Sequence, residues 1–232
     1  MTAEKIIASM AAIPSRLESL QNAVESLINQ VDELIVYLNE WKVVPDFLFH
    51  KKISLLEGAN LGDTGKFYGL QGAEGYLFTV DDDLIYPTNY VEKMIDKINQ
   101  YHRQAFICVH GNLLPKIPIK SYYLEKKGVH FSRELKEDIK VDVPGTGTLA
   151  YHSSMYKLNM HDFGRKNMTD IWLYKLAKRL NITIICITRS LHWIKSYSLK
   201  YPSESIYLSN YKNDSYQTGI VNQVISQHGT EV

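Results

Sequence analysis

Three consecutive aspartates, Asp81, Asp82 and Asp83, follow directly after the apolar run 76–80. Adjacent carboxylates repel one another, which raises their pKa values or loosens the chain unless a cation offsets the charge. Mg²⁺ and Mn²⁺ prefer carboxylate oxygen, and they are usually bound through one or two carboxylates together with substrate phosphates. The run therefore predicts a divalent-cation site shared with a diphosphate ligand. The alternative is a solvated acidic turn in which an aspartate caps the next helix.

The segments around these aspartates alternate between strand and helix patterns. Continuous apolar runs predict buried strands at 5–13, 32–40, 53–58, 75–80, 104–111, 145–154 and 181–190. Helical spacing of apolar residues predicts helices at 17–28, 87–98 and 170–180, with shorter pieces at 45–52 and 219–227. This alternation predicts an α/β fold with a mostly parallel central sheet and helices on both faces. Such sheets bind ligands at the carboxyl ends of their strands, where the aspartates lie.

Size and composition limit the classes of protein to which the chain can belong. The chain has 232 residues, of which 45% are hydrophobic, enough to bury one large core. A net charge of +1 argues against a nucleic-acid binder that relies on a basic surface. Cys108 and Cys186 lie inside apolar runs and are interpreted as buried thiols. The N-terminus lacks the pattern of a signal peptide, so we expect a cytoplasmic protein, with the inner face of a membrane as the alternative site.

A strand followed by Asp-x-Asp near mid-chain, after an N-terminal βαβ region, resembles the nucleotide-sugar-dependent glycosyltransferases of the GT-A fold. The nearest likeness is to the inverting family 2 type, and it covers residues 4–195. It implies a Rossmann-like GT-A domain at 1–195, with a nucleotide-binding half at 1–110 and an acceptor and catalytic half at 111–195. Residues 196–232 would then form a C-terminal extension that packs on the domain or trails from it.

The resemblance also implies roles for particular residues. Asp81, Asp83 and His192 would bind a Mn²⁺ or Mg²⁺ ion that bridges the donor diphosphate, and Asp170 at a helix start would be the catalytic base. The residues that would contact the nucleotide sugar are Ala12, Pro14, Arg16, Asn39, Asn60, Gly62, Lys66, Asp81, Asp82, Gly145 and Gly147. The family usually has Glu-Asp at the base position, whereas this chain has Thr169 before the aspartate.

Each assignment has a structural alternative. Arg16 is also explained as a solvated side chain near a helix start, and the glycines as ordinary turn residues. Asp170 is also explained as a first-turn aspartate stabilised by the helix dipole, and His192 as an exposed histidine. Asp63 lies in the same stretch as the predicted nucleotide contacts, where it is predicted to cap the helix beside it.

The resemblance implies transfer of a sugar from a nucleotide-diphosphate donor, with UDP favoured, to a hydroxyl of a glycan or lipid-linked glycan. It also implies a role in polysaccharide biosynthesis. Tyr122, Tyr123, Trp172 and Trp193 are candidate surfaces for stacking on sugar rings, and the stretch 193–201 is a candidate for peripheral membrane contact. The alternatives are a non-catalytic nucleotide- or carbohydrate-binding module and a phosphohydrolase of the haloacid dehalogenase type, whose motif usually opens the chain.

Overall fold

The computed structural model describes residues 4–197, 211 and 213–228 of the chain. The strands are β1 (Ile6–Ala12), β2 (Glu33–Asn39), β3 (Ile53–Gly58), β4 (Tyr76–Asp81), β5 (Leu84–Ile85), β6 (Ala105–Cys108), β7 (Gly111–Leu113), β8 (Lys127–Val129), β9 (Ile139–Lys140), β10 (Val143–Pro144), β11 (Thr148–His152), β12 (Thr183–Cys186) and β13 (Lys195–Ser196). The helices are α1 (Leu17–Leu27), α2 (Gly65–Tyr68), α3 (Tyr90–Gln100), α4 (Tyr122–Glu125), α5 (Thr169–Leu180) and α6 (Ser215–His228). Short 3-10 turns lie at Pro14–Arg16, Asp46–Leu48, Gly62–Thr64 and Met160–Asp162.

Eight of these strands form one sheet in the order β3-β2-β1-β4-β11-β6-β12-β9. The first four run parallel to one another, as do β6 and β12, whereas β11 and the edge strand β9 run antiparallel to their neighbours. The predicted α/β fold with a mostly parallel sheet is confirmed. The antiparallel insertion of β11 between β4 and β6 was not predicted, because an apolar run carries no information about strand direction.

Helices cover both faces of the sheet. The central strands are buried on both sides, which explains why their sequences are continuously apolar and not alternating. In β1, Ala8 and Met10 pack in one hydrophobic cluster with α1 and α3, while Ile7 packs in a second cluster with residues of α2 and α5. The two clusters hold the sheet between helix layers and fix the ends of its strands.

Helix α6 packs against α5. Val221, Val224 and Ile225 of α6 share a hydrophobic cluster with Ile171 and Tyr174 of α5. This helix belongs to the segment predicted as a C-terminal extension, of which residues 198–210, 212 and 229–232 lie outside the described residues. Of the candidate membrane-contacting stretch 193–201, residues 198–201 therefore lie outside the described residues. None of the helices described here combines the length and the apolar character needed to span a bilayer.

The strand order defines where a ligand is expected. In the order β3-β2-β1-β4 the winding direction reverses between β1 and β4, and ligands of such sheets bind outside the carboxyl ends of the strands at this reversal. Asp81 ends β4 and pairs in register with Ala11 of β1. The three aspartates therefore lie at the reversal point.

Candidate functional site

A cleft of about 560 Å³ opens beside the end of β4. This volume is within the range of pockets that bind small ligands and cofactors. Six of the predicted site residues line it, and they are Lys66, Asp81, Asp83, Gly145, Gly147 and Asp170. The structure thus brings together groups that are up to about a hundred residues apart in sequence.

Asp81 is held in place by an ion pair with Lys66 and by hydrogen bonds through Tyr86. Its carboxylate forms an ion pair with Lys66, whose side chain is buried. Burial alone would lower the pKa of Lys66, but the charges of Asp81 and Asp63 outweigh burial and raise it. The backbone N–H of Asp81 donates to Tyr86 Oη at 2.8 Å, and this hydroxyl donates to the Gly147 carbonyl at 2.7 Å. The sequence did not identify Tyr86, because a tyrosine in a buried segment cannot be told apart from an ordinary core residue.

Arg16 pairs with the other two aspartates. Its Nη1 lies 2.9 Å from Asp82 Oδ1 and 3.3 Å from Asp83 Oδ2. Burial opposes the charge of Arg16, but the two carboxylates outweigh burial and raise its pKa above the ordinary value. Whereas the resemblance implies a contact between this arginine and the nucleotide, Nη1 contacts protein carboxylates here. Arg16 and Lys66 therefore supply part of the positive charge that the aspartate run requires.

Asp82 and Asp83 are buried at an electrostatic cost. Burial raises the pKa of Asp82, and its Oδ2 has no hydrogen-bond partner among the described residues. Burial, followed by the charges of Asp81 and Asp82, raises the pKa of Asp83 to about 7. Asp83 is therefore about half protonated near neutral pH, and a cation that binds it has to displace this proton.

The carboxylates at this rim fit a hard divalent cation. Asp81 and Asp83 both line the cleft and offer the oxygen ligands that Mg²⁺ and Mn²⁺ prefer. Within the described part of the chain, no group of three or more His, Cys, Asp or Glu side chains is arranged to hold a metal ion. The two aspartates therefore suit an ion that completes its coordination with water and substrate oxygens, as Mg²⁺ commonly does.

His192 is not one of the residues that line the cleft. It is exposed in a turn with a φ of 54°, and its backbone N–H donates to the Ser132 carbonyl at 2.8 Å. The structure therefore does not place it beside Asp81 and Asp83 as a third metal ligand. The sequence position after a late strand was correct, but the turn that follows the strand decides where the side chain lies.

Asp170 lies in the first turn of α5 and lines the cleft. Tyr122 Oη donates to its Oδ2 at 3.2 Å, and the backbone N–H of Ile171 donates to its Oδ1 at 2.9 Å. Burial raises the pKa of Asp170, the positive charge of Lys126 opposes this rise, and Asp63 adds to it. A raised pKa makes the ionised carboxylate a stronger proton acceptor, which is the property required of a general base near neutral pH.

Asp63 holds the beginning of α5. Its Oδ1 accepts the Asn167 N–H at 2.5 Å, and its Oδ2 accepts the Thr169 N–H at 3.1 Å and the Thr169 hydroxyl at 2.6 Å. The prediction that Asp63 caps the neighbouring helix is wrong, since α2 has no side-chain cap. Thr169, where the family usually has glutamate, is buried and also bonds Thr146 Oγ1 at 3.0 Å. It ties α5 to the loop before β11.

Asn60 and Gly62 lie in the loop after β3, Asn39 at the end of β2 bonds this loop, and none of the three lines the cleft. Asn39 is buried, accepts the Leu61 N–H at 2.8 Å and donates to the Gly62 carbonyl at 3.3 Å. Asn60 Oδ1 accepts the Gly62 N–H at 2.9 Å. Gly62 has a φ of 60°, and a Cβ atom there would overlap with Asn167 Oδ1, so the turn requires glycine. These residues shape the loop that leads to Lys66.

Ala12 and Pro14 lie at the end of β1, in the segment that leads to Arg16. Ala12 is buried, and its carbonyl accepts the Trp41 indole N–H at 3.1 Å. Pro14 begins the 3-10 turn that connects β1 to α1. The two residues position the arginine beside the aspartates, and they are not among the cleft-lining residues.

Gly145 and Gly147 are required by close packing of the loop before β11. A Cβ atom on Gly145 would lie 2.6 Å from His110 Cδ2, and one on Gly147 would overlap with the Asp81 carboxylate. Thr79 Oγ1 donates to the Thr146 carbonyl at 2.6 Å, which fixes the loop on β4. The glycine at position 147 therefore allows the loop backbone to pack directly against the Asp81 carboxylate.

Comparison with known proteins adds little to this description. No protein-family model and no curated protein sequence matches the chain. One similar solved structure is the crystal structure of A197 from STIV, with 14% sequence identity, a TM-score of 0.39 and coverage of 82% of each chain. A likeness of this strength carries no argument about fold or function.

Proposed function

We propose that the protein is a metal-dependent glycosyltransferase of the GT-A type, which moves a sugar from a nucleotide-diphosphate sugar to an acceptor hydroxyl with inversion. The observation that carries the proposal is one cleft lined by Asp81, Asp83 and Asp170. The first two suit a cation that binds a diphosphate, and the third suits the removal of a proton. The parallel order β3-β2-β1-β4, with the cleft at its reversal point, supports a nucleotide as the ligand.

The aspartate run would serve the donor. A Mn²⁺ or Mg²⁺ ion held by Asp81 and Asp83 would supply positive charge to the departing diphosphate. Lys66 holds the Asp81 carboxylate in place through an ion pair, and Arg16 holds those of Asp82 and Asp83 in the same way. These side chains position the ligands before the substrate arrives, which reduces the cost of reorganising charge during the reaction.

Asp170 would act on the acceptor. Its carboxylate takes the proton of the acceptor hydroxyl while the hydroxyl oxygen bonds to the anomeric carbon and the bond from that carbon to the diphosphate breaks. One displacement of this kind inverts the anomeric centre. Tyr122 and the backbone N–H of Ile171 hold the two carboxylate oxygens in position. A general base of this kind typically contributes about 10²–10⁴-fold to the rate.

The test is a donor screen combined with one substitution. UDP-, GDP- and dTDP-linked sugars are incubated with the protein and Mn²⁺, and released nucleoside diphosphate is measured. We expect release with at least one donor, its loss in Asp170→Asn, and retention of nucleotide binding in that variant. Asp96→Asn, at an exposed position of α3, is the matched control and should keep full activity. Full turnover in Asp170→Asn would remove the proposed base.

A non-catalytic nucleotide- or carbohydrate-binding module is the second candidate. One observation favours it: Arg16 and Lys66 already pair with the aspartates, so the cluster is partly balanced without a metal ion. The same donor screen separates the two candidates. Binding of a nucleotide sugar that is indifferent to Mn²⁺ and is followed by no turnover supports the module.

A further inference from the structure

Part of the cleft wall is basic and lies next to Asp170. Lys126 lines the cleft, and its Nζ lies 4.5 Å from the centre of the Tyr122 ring and 4.7 Å from that of Tyr123. Within the described residues no carboxylate forms an ion pair with this ammonium group, and Asp170 acts on it only through its charge. Burial lowers the pKa of Lys126 and the charge of Asp170 opposes this change. A partly buried cation without an ion pair is a receptor for an anion.

A second cation lies behind this wall. Arg189 is buried, and its guanidinium donates to the Ile187 carbonyl at 2.9 Å and to the His130 carbonyl at 2.8 Å. Its Nε has no hydrogen-bond partner among the described residues. Its Nη1 also donates to Cys186 Sγ at 3.4 Å, and among the described residues no carboxylate forms an ion pair with Arg189. His130 also lines the cleft, so the charge stands directly behind a lining residue.

His110 packs against His130, with 5.2 Å between their ring centres. It lines the cleft, and its Nδ1 is buried with no hydrogen-bond partner in the described part of the chain. Burial, followed by the charges of His130, Lys126 and Arg189, lowers the pKa of His110 to about 3. The imidazole is therefore neutral at any physiological pH, and its Nδ1 is left with an unfilled hydrogen-bonding position beside the cleft.

We propose that the wall formed by Lys126, His110 and His130, with Arg189 behind it, binds an anionic group of the acceptor, a carboxylate or a phosphate. The inference rests on the proposed function, because it assigns this wall to the acceptor. Tyr122 links the wall to the base, since its ring contacts Lys126 and its hydroxyl bonds Asp170. An acidic sugar held there has its hydroxyls next to Asp170. The acceptor class is therefore a uronic acid or a phosphorylated sugar.

The donor diphosphate is the competing anion for this wall. The aspartate rim has its own cations, Arg16 and Lys66, and it suits a diphosphate only together with a metal ion. Among the described residues no acidic side chain forms an ion pair with Lys126. The wall therefore attracts an anion without a metal ion. The two regions therefore favour two different anions in one cleft, and the experiment has to measure both.

The experiment titrates small sugars into the whole protein without donor and follows binding by calorimetry or ligand-observed NMR. The probes are methyl β-glucuronide and glucose 6-phosphate, with methyl β-glucoside as the neutral probe and inorganic phosphate as the probe without a sugar. We expect at least one acidic sugar to bind about tenfold more tightly than the neutral one, as a charge-assisted hydrogen bond provides. The acidic sugar that binds better distinguishes a carboxylate from a phosphate.

Lys126→Met should remove this preference, whereas Lys127→Met should keep it. Lys127 is the exposed neighbour, it does not line the cleft, and its loss changes the net charge equally. The affinity for UDP with Mn²⁺ is measured on the same proteins and should be unchanged in Lys126→Met. Equal affinity for acidic and neutral sugars in the wild-type protein overturns the proposal. An equal loss of the preference for acidic sugars in the two variants also overturns it, as does a tenfold loss of UDP affinity in Lys126→Met. If inorganic phosphate binds as tightly as the acidic sugars, the wall is an anion site that does not recognise the sugar. This result also overturns the proposal.

This design separates two kinds of failure. If no nucleotide sugar binds or turns over, the proposed glycosyl transfer fails, yet the sugar titrations still report whether the wall recognises acidic sugars. If donors turn over while acidic and neutral sugars bind alike, the transfer stands and the acceptor class is wrong.

Discussion

The backbone of Gly147 packs directly on the carboxylate of Asp81, so that a Cβ atom at position 147 would overlap with it. The same two residues are connected through Tyr86, whose hydroxyl accepts from the Asp81 N–H and donates to the Gly147 carbonyl. The antiparallel pairing of β4 and β11 brings them together, with Thr148 opposite Val80. The first aspartate of the run is thus positioned by a glycine 66 residues further along the chain.

Gly147→Ala should therefore displace the Asp81 carboxylate and weaken binding of Mn²⁺ together with nucleotide. We expect at least a tenfold loss, the size of one charge-assisted interaction. Calorimetric titration of UDP with Mn²⁺ measures it. Gly219→Ala in α6 is the control, because nothing lies within 4 Å of a Cβ there and helix propensity favours alanine by about 1 kcal/mol. Unchanged nucleotide affinity in folded Gly147→Ala would show that the position of Asp81 does not matter.

Arg16→Met should destabilise the fold by about 3 kcal/mol, because it leaves Asp82 and Asp83 buried without their cation. The Arg16, Asp82 and Asp83 side chains are only 15%, 4% and 13% exposed, so solvent screens their interaction little. Urea unfolding at about pH 8, where Asp83 is ionised, measures the loss. Arg133→Met, at an exposed arginine, is the control and should change stability by less than about 0.5 kcal/mol. Equal stability of the two variants would contradict the role of the ion pair.

The raised pKa of Asp83 predicts that the metal-free fold loses stability as pH rises. Its pKa is about 7 in the folded chain and 3.8 in the reference state, so between these values the folded chain binds more protons than the unfolded chain. The contribution of Asp83 is therefore complete below about pH 4 and is lost as pH rises through about 7. With EDTA present, wild type should lose stability more steeply than Asp83→Asn between about pH 5 and pH 8. Parallel curves would contradict the shift.

Local patterns predicted most of the strands and helices but not their long-range pairings. Burial on both faces makes β1, β2 and β4 continuously apolar, and α1 and α3 show the helical period, so the sequence alone located them. The direction of β11 was not predictable, because it depends on which strands remain available as neighbours. Sheet topology then decides where each strand end lies.

The contacts that build the site are also long-range. Arg16 meets Asp82 across 66 residues and Asp63 meets Thr169 across 106, and both depend on the assembled sheet. The sequence identified the acidic run and the candidate base, because strand ends and helix starts are local features. It assigned Arg16 to the nucleotide sugar, because nothing local in the sequence indicates that carboxylates lie closer to it.

Tyr122→Phe tests whether Asp170 is the base, because it alters the pKa of this carboxylate without removing it. The Tyr122 hydroxyl donates to Asp170 Oδ2 at 3.2 Å, and this bond lowers the pKa of a carboxylate that burial has raised. Its loss should raise the pKa further and move the acidic limb of the pH profile of kcat/KM to higher pH. Turnover at pH values above that limb should fall by about tenfold or less.

The matched control for this change is Tyr151→Phe. Tyr151 is also fully buried, but its Oη has no hydrogen-bond partner among the described residues, so removing the hydroxyl deletes no bond. This variant should keep the wild-type pH profile and be at least as stable, because an unsatisfied buried hydroxyl costs free energy. A limb that stays in place in Tyr122→Phe, or moves equally in both variants, would mean that the proton of the acceptor goes to a group other than Asp170.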